Sequence, residues 1–391
     1  MGQRFNNFRN HAFPLVWEVL PRSVLRLLPG SSQSYGPPRR ATSLAQYRRE
    51  SRVEWHQVFP AHTDALPAPF YCNDPRVFAE DRSVDWPETG VAVIPGGRVL
   101  DEHAWVVGRE DTFIGDLCYL GNSRQSRANQ IIKLHPARRL AGRTLNLCSA
   151  NAVTNFFHYV VDSVSRYDLV RRAGFTWSDF DQILLPRFQS LTAKSIDDAM
   201  GIPESKVVRI GRREQYHCET LIQPSFPGPV ACTPPWVIEF YRDLFPSNPA
   251  TRSRRLYFPR KGNRHPANGD EIEARIAALG FETIDPMATP DLRVRMAEAT
   301  HIVAVHGACL ANLVFCGAGT RVLEIMPTEI SRYYNRSFYH VLCASGKMPY
   351  GAVVGQSPRH RLLQFSPQPK REFTVNLPEL DAGLEALLSP A

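Results

Sequence analysis

Three groups of residues in this chain are of the types that move protons or hold phosphates. The first lies in HIVAVHGACLANLVFCGAGTRVLEIMP, residues 301–327. His306, Gly307 and Ala308 follow a short β-branched run, and small residues there let the backbone turn tightly and approach a ligand. Asn312 follows in an apolar stretch, and Glu324 sits inside a second apolar run. A carboxylate in a buried strand is costly unless something pairs with it. Open α/β sheets bind ligands beyond the carboxyl ends of strands and at helix N-termini. His306, the 307–312 turn and Glu324 therefore make one candidate pocket wall. The simpler alternative is a turn histidine and a carboxylate paired for structural reasons.

The second group lies in NFFHYVVDSVSRYDLVRRAGF, residues 155–175. One helix from about Val153, closed by Gly174 as its C′ residue, would place Asn155, His158, Asp162 and Arg166 on a single stripe at about 100° per residue. Phe156, Phe157, Val160, Val161 and Val164 cover much of the rest, so a mostly buried helix would carry one polar line. His158 and Asp162 are i,i+4 neighbours, and a carboxylate beside an imidazole can orient it for general-base work. A plain solvated face would show the same spacing, although such faces usually carry Lys and Glu.

The third group is Arg260 and Arg264 in RLYFPRKGNRHPAN, residues 255–268. They would sit at a strand's carboxyl end, where arginine suits bidentate phosphate contact. Asp179 and Asp181 form a DxD, a pattern that can hold a metal, but with no acidic or histidine partner nearby it reads as a loop pair. No GxGxxG follows a strand, and GxxxxGK[ST], HExxH and GxSxG are absent, so dinucleotide, P-loop, zincin and α/β-hydrolase chemistry have no motif to rest on.

The elements that must position these groups alternate between strand and helix. From Arg254 onward, short β-branched runs separated by roughly ten-residue helices predict a parallel sheet. Residues 90–122 instead show β-branched runs broken by Pro-Gly-Gly, Gly-Arg-Glu-Asp and Gly-Asn, which predict hairpins. The proline-rich 224–250 stretch marks a crossing between domains. The expected organisation is a basic arm and linker at 1–60, an N-terminal α/β domain at 61–235, a C-terminal Rossmann-like domain at 250–350, and a tail at 351–391.

The chain has 391 residues with 43% hydrophobic and 21% charged, enough for two domains with ordinary cores. Nine arginines, no lysine and three glutamates in residues 1–60 supply +6 of the net +8. The rest is close to balanced, so nucleic-acid binding is not implied. The basic front end, with HAFPLVWEVLPRSVLRLLPG at 11–30, could instead meet an anionic membrane surface or pack on the body. No run of 18 apolar residues occurs. Eight cysteines without CxxC or zinc spacing read as reduced thiols of a cytoplasmic protein.

Taken together, NFFHYVVD at 155–162, RLYFPRKGNRHPAN at 255–268 and the HGACLANLVF block at 306–315 resemble the family 61 glycosyltransferases, whose bacterial members are often capsular polysaccharide biosynthesis proteins. The resemblance spans about residues 90–345. Departures are Cys309 where the family usually has glycine, Ala311 where threonine is common, and Pro259 where serine often precedes the arginine. The resemblance implies an α/β fold of the GT-B kind, two Rossmann-like domains facing a cleft. It implies inverting transfer from a nucleotide sugar; the expected donor is a nucleoside-diphosphate sugar, the expected acceptor is a glycan or lipid-linked glycan, and no metal or other cofactor is expected. His158 or Asp162 would be the base and Asn155 would lie on the acceptor side. Arg260, Arg264, His306, Gly307, Ala308, Asn312 and Glu324 would hold the donor, with Glu324 accepting from the ribose hydroxyls. A non-catalytic nucleotide- or glycan-binding protein on the same scaffold is the alternative.

Overall fold

The structure, a computed structural model, describes residues 38–51, 53–118, 134–230, 232–246, 248–331, 338–357 and 372–390. Most of the expected basic arm, including the 11–30 stretch, lies outside the described residues. Among the described residues no helix is long and apolar enough to cross a membrane.

In chain order the strands are β1 Arg40–Thr42, β2 Glu54–Phe59, β3 His62–Ala65, β4 Ser83–Trp86, β5 Thr89–Pro95, β6 Arg98–Leu100, β7 Trp105–Gly108, β8 Thr112–Ile114, β9 Arg138–Asn146, β10 Gln182–Pro186, β11 Val207–Ile210, β12 Gln215–Pro224, β13 Arg254–Phe258, β14 Glu282–Thr283, β15 Ala299–Val305, β16 Arg321–Pro327 and β17 Tyr350–Gly355. The chain divides into two compact units. The N-terminal unit comprises described residues up to Ala61, Glu88–Gln189 and Gly201–Val230. The C-terminal unit comprises His62–Pro87, Ser190–Met200 and the chain from Ala231 on.

The N-terminal unit is built on a mixed sheet. Its main path runs β1-β8-β7-β6-β12-β9-β10-β11, with β5 on β12 and β2 on β5. The strands β12, β9, β10 and β11 are parallel, the texture expected from short β-branched runs joined by helices. β6, β7 and β8 form the expected antiparallel meander. The Pro-Gly-Gly at 95–97 does not reverse the chain, contrary to expectation. β5 and β6 both run antiparallel to β12, on Thr220–Pro224 and Gln215–His217, so residues 89–100 make one interrupted strand. Gly96 takes φ +67 at the interruption, and β12 carries a matching irregularity at Cys218–Thr220 in its ladder with β9.

The C-terminal unit holds an all-parallel five-stranded sheet in the order β14-β13-β15-β16-β17. That is a doubly wound order, with its reversal point between β13 and β15. One face buries Tyr257, Val303, Val305, Leu323, Ile325 and Val353 against Ile272 and Ile276 of helix Gly269–Ala278 and Leu380, Leu384 and Leu387 of helix Leu377–Leu388. The residues expected to form a tail therefore complete this core. Residues 62–87, expected in the N-terminal domain, also cluster here: Phe70 N donates to Tyr350 O, and Cys72 bridges Ala352 in parallel at the β17 edge. The sheet needs that cover because an open parallel edge exposes unpaired backbone groups.

Candidate active-site residues

In the C-terminal unit the sheet reversal brings Arg260 and His306 together. Arg260 stands two residues beyond β13 and His306 directly after β15, so both lie at carboxyl ends that flank the reversal point. The Arg260 guanidinium joins them, donating from one terminal nitrogen to the His306 carbonyl at 2.8 Å and from Nε to the Asn263 carbonyl at 2.5 Å. Gly307 leaves room for the guanidinium, and its dihedral angles demand nothing special. A Cβ on it would lie 2.1 Å from the Arg260 terminal nitrogen. Tyr339 then pins the turn, its buried hydroxyl donating to the Gly307 carbonyl at 2.6 Å. Ala308 opens the 3-10 turn Ala308–Phe315. Arg264, in the left-handed region at φ +64, shares with Arg260 an electrostatic influence on the Tyr339 phenol.

One expectation changes. Glu324 is fully buried, and both of its oxygens are engaged: Oε1 with His306 Nδ1 at 2.5 Å and Oε2 with the Tyr350 hydroxyl at 2.6 Å. It therefore orients His306 and offers nothing to a ribose. Asn312 is also buried, and its amide nitrogen donates to the Cys309 carbonyl at 2.7 Å. Its Oδ1 has no partner among the described residues, and its nitrogen keeps a second N–H as a donor. Asn268, the third residue of the arginine block, bonds the Val375 backbone in both directions and so anchors the 372–376 segment.

In the N-terminal unit the expected helix breaks into helix Phe156–Asp162, a 3-10 turn Val164–Arg166 and helix Tyr167–Arg172. The break has a local cause. Ser163 leaves helical geometry (φ −119, ψ −86), and its hydroxyl donates to the Leu147 carbonyl beyond β9 at 2.5 Å. Upstream of the break the predicted pair holds: His158 Nδ1 lies 2.6 Å from Asp162 Oδ2, with the two residues 7% and 6% exposed. The carboxylate accepts from Nδ1–H and so directs proton exchange to Nε2.

The ends of the expected stripe do other work. Asn155 is the N-cap, its side-chain oxygen accepting from Phe157 N at 2.9 Å, and so is structural rather than a proven acceptor contact. Arg166 leaves the stripe because the helix breaks before it. It is completely buried and donates to the Cys148 and Pro224 carbonyls at 2.6 and 3.2 Å. Burial pushes its guanidinium down to about 10, partly offset by charges that include Asp162. Arg166 thereby ties together the carboxyl ends of β9 and β12, which Asn146 and Gln223 also join side chain to side chain at 2.7 Å. Asp179 and Asp181 both serve the backbone, accepting from Thr176 N and Arg143 N, so the DxD is a loop pair as expected. Backbone and hydroxyl donors of Thr176 hold the Asp179 carboxyl below its usual range.

Sequence reasoning missed Tyr339 and Tyr350. The signal for Tyr350 was present: it opens an otherwise small and apolar strand, YGAVVG, beside the strand that carries a buried carboxylate.

With this geometry in view, the comparison with known families is informative. The family model Glycosyltransferase 61 matches residues 156–323, from the first residue of the His158 helix to the residue before Glu324. The resemblance read from the three sequence blocks holds over that span, and it supports a glycosyltransferase. No curated protein matches the chain.

Proposed function

We propose that this chain is an inverting glycosyltransferase that moves a sugar from a nucleoside-diphosphate sugar to a glycan or lipid-linked glycan acceptor in surface polysaccharide synthesis. The observation that carries this is the Arg260 bridge at the reversal point of the parallel sheet, with His306 and Arg264 beside it. Three cationic or proton-bearing side chains at the carboxyl edge suit a diphosphate leaving group, and fixed cations there can stabilise charge that develops as the glycosidic bond breaks. Arginine neutralisation would supply what a divalent metal supplies elsewhere, so we propose that no metal is needed.

In the N-terminal unit, His158 would take the proton of the acceptor hydroxyl at Nε2 while Asp162 holds Nδ1–H. The hydroxyl oxygen forms a bond to the anomeric carbon as the bond to the diphosphate oxygen breaks. The nucleoside diphosphate leaves with the electron pair, and the single displacement inverts the centre. A cytoplasmic setting, peripheral to the inner membrane face, would suit such a donor and acceptor.

The test is a thermal-shift panel of nucleosides, nucleoside diphosphates and nucleotide sugars, with EDTA and with added divalent metal. One nucleoside diphosphate should stabilise the protein equally under both conditions, and Arg260→Ala should abolish the shift. At a hundred times its dissociation constant a ligand adds about 2.7 kcal/mol, enough to read. No stabilisation by any nucleotide in folded protein would overturn the donor-site assignment. Binding without donor hydrolysis or transfer to any glycan would favour a non-catalytic nucleotide-binding protein.

A further inference from the structure

Glu324 lies on β16 with Ala304 of β15 and Ala352 of β17 as its register neighbours. Two methyl side chains leave lateral room on that face of the sheet, and two larger groups reach into it along a diagonal. His306 comes from the carboxyl end of β15 and Tyr350 from the start of β17. The three side chains form one line across three adjacent strands. The phenol ring of Tyr350 is held edge-on by Phe78, with ring centres 5.7 Å apart, and lies tilted against His340 at 5.2 Å. Burial and the neighbouring Glu324 charge raise the phenol well above its ordinary range, so the hydroxyl remains a donor.

A buried carboxylate keeps its charge only while donors satisfy it. Glu324 has two, one on each oxygen. We propose that Tyr350 is a positioning residue of the donor site: its hydroxyl holds the Glu324 carboxylate so that the proton shared with His306 stays on imidazole Nδ1. This rests on the reading of the Arg260–His306 edge as a diphosphate site. Removing the hydroxyl leaves Oε2 without a donor, and the shared proton then moves from Nδ1 to the carboxyl oxygen. The imidazole then loses the bond that fixes its ring, and its contact with a bound diphosphate weakens. The other groups whose charge is felt with that of Glu324 are Arg260, Arg264, Cys309, Tyr339, His340 and Cys343. Among the described residues none of these donates to Oε2, so none replaces Tyr350.

The experiment compares the full-length protein with Tyr350→Phe, which keeps the ring and its packing. Nitrogen-15 spectra of histidine-labelled protein report the protonation of His306 Nδ1, assigned by its loss in His306→Gln. In the wild type Nδ1 should be protonated, and in Tyr350→Phe its signal should move toward the unprotonated acceptor range. Affinity for the nucleoside diphosphate that binds the wild type should fall about tenfold, as expected for one charge-assisted contact. Affinity for the matching nucleoside should not change, a split that a general loss of structure would not give. In a His306→Gln background the tyrosine substitution should add less than about twofold, because coupled residues are non-additive. An unchanged Nδ1 signal with diphosphate affinity unaltered would overturn the proposal. If no nucleoside diphosphate binds the wild type, the function proposed above fails, and the Nδ1 signal alone still decides the role of Tyr350.

Discussion

Each unit contains one imidazole held by one carboxylate, and the two pairs are built in opposite ways. His158 and Asp162 are four residues apart on a single helix, with the pair slightly open to solvent. His306 and Glu324 come from two strands, the carboxylate is sealed, and its second oxygen is bound by a tyrosine. A pair whose carboxylate is sealed and doubly bonded is arranged to keep its proton in place. A pair within one helix, its carboxylate slightly open to solvent, is better arranged to exchange one. The contrast agrees with the proposal that the N-terminal pair transfers a proton and the C-terminal pair places charge.

The largest expected effect breaks the first half of that contrast. Replacing His158 with Ala should lower transfer by about 10²- to 10⁴-fold, the usual weight of a positioned base, with nucleoside-diphosphate affinity unchanged by calorimetry. Retained transfer in a His158→Ala, Asp162→Ala double variant would remove the base from this helix. Next in size, Glu324→Ala should destabilise the protein by about 3–5 kcal/mol in denaturant titrations, because it strands a buried imidazole. Asp162→Ala should cost clearly less, and equal costs would erase the distinction between a sealed and an open pair. Arg260→Lys should then weaken nucleoside-diphosphate binding about tenfold or more with little loss of stability, since lysine cannot span the Asn263 and His306 carbonyls as the guanidinium does.

The smallest effect contrasts paired histidines with an unpaired type. Burial, with Arg98 and Arg139 nearby, pushes His217 of the N-terminal unit down to about 4. Its folded value lies below that of the unfolded chain, so its stabilising contribution is complete above about pH 6.5 and is lost as pH falls toward 4. Stability measured across that window should decline in the wild type and decline less in His217→Gln. An identical slope in both proteins would mean His217 takes up its proton without unfolding.

The local pair was the more legible of the two. Helical spacing alone placed His158 against Asp162, because i,i+4 geometry needs no knowledge of the rest of the chain. The sealed pair was half legible. A carboxylate in an apolar strand demanded a partner, but choosing His306 and Tyr350 requires strand order and register, which one sequence does not state. Arg260 and His306 were placed correctly at strand ends, while their meeting depends on where the sheet order reverses. Arg166 left the expected stripe because Ser163 bonds to the chain beyond β9, a long-range contact that overrode helical periodicity, while Asn155 caps a helix that starts three residues later than about Val153. Pro95-Gly96-Gly97 carried a turn signal that pairing with β12 straightened. The parallel C-terminal sheet was read well because ten-residue helices between β-branched runs leave few other topologies.

The way each unit is interrupted by the other has a consequence for biosynthesis. Strand β17 and helix Leu377–Leu388 leave the ribosome long after the segment containing Phe70 and Cys72, yet that segment pairs with β17. That early segment must wait, its apolar side chains uncovered, until β17 has been made. Contacts this distant in sequence form slowly and leave intermediates that stick to one another. Cutting the gene at the visible crossing near residue 230 would give a C-terminal fragment without the wall that closes its sheet. Soluble material is therefore expected from the uncut chain, produced slowly and at low temperature, rather than from either half alone.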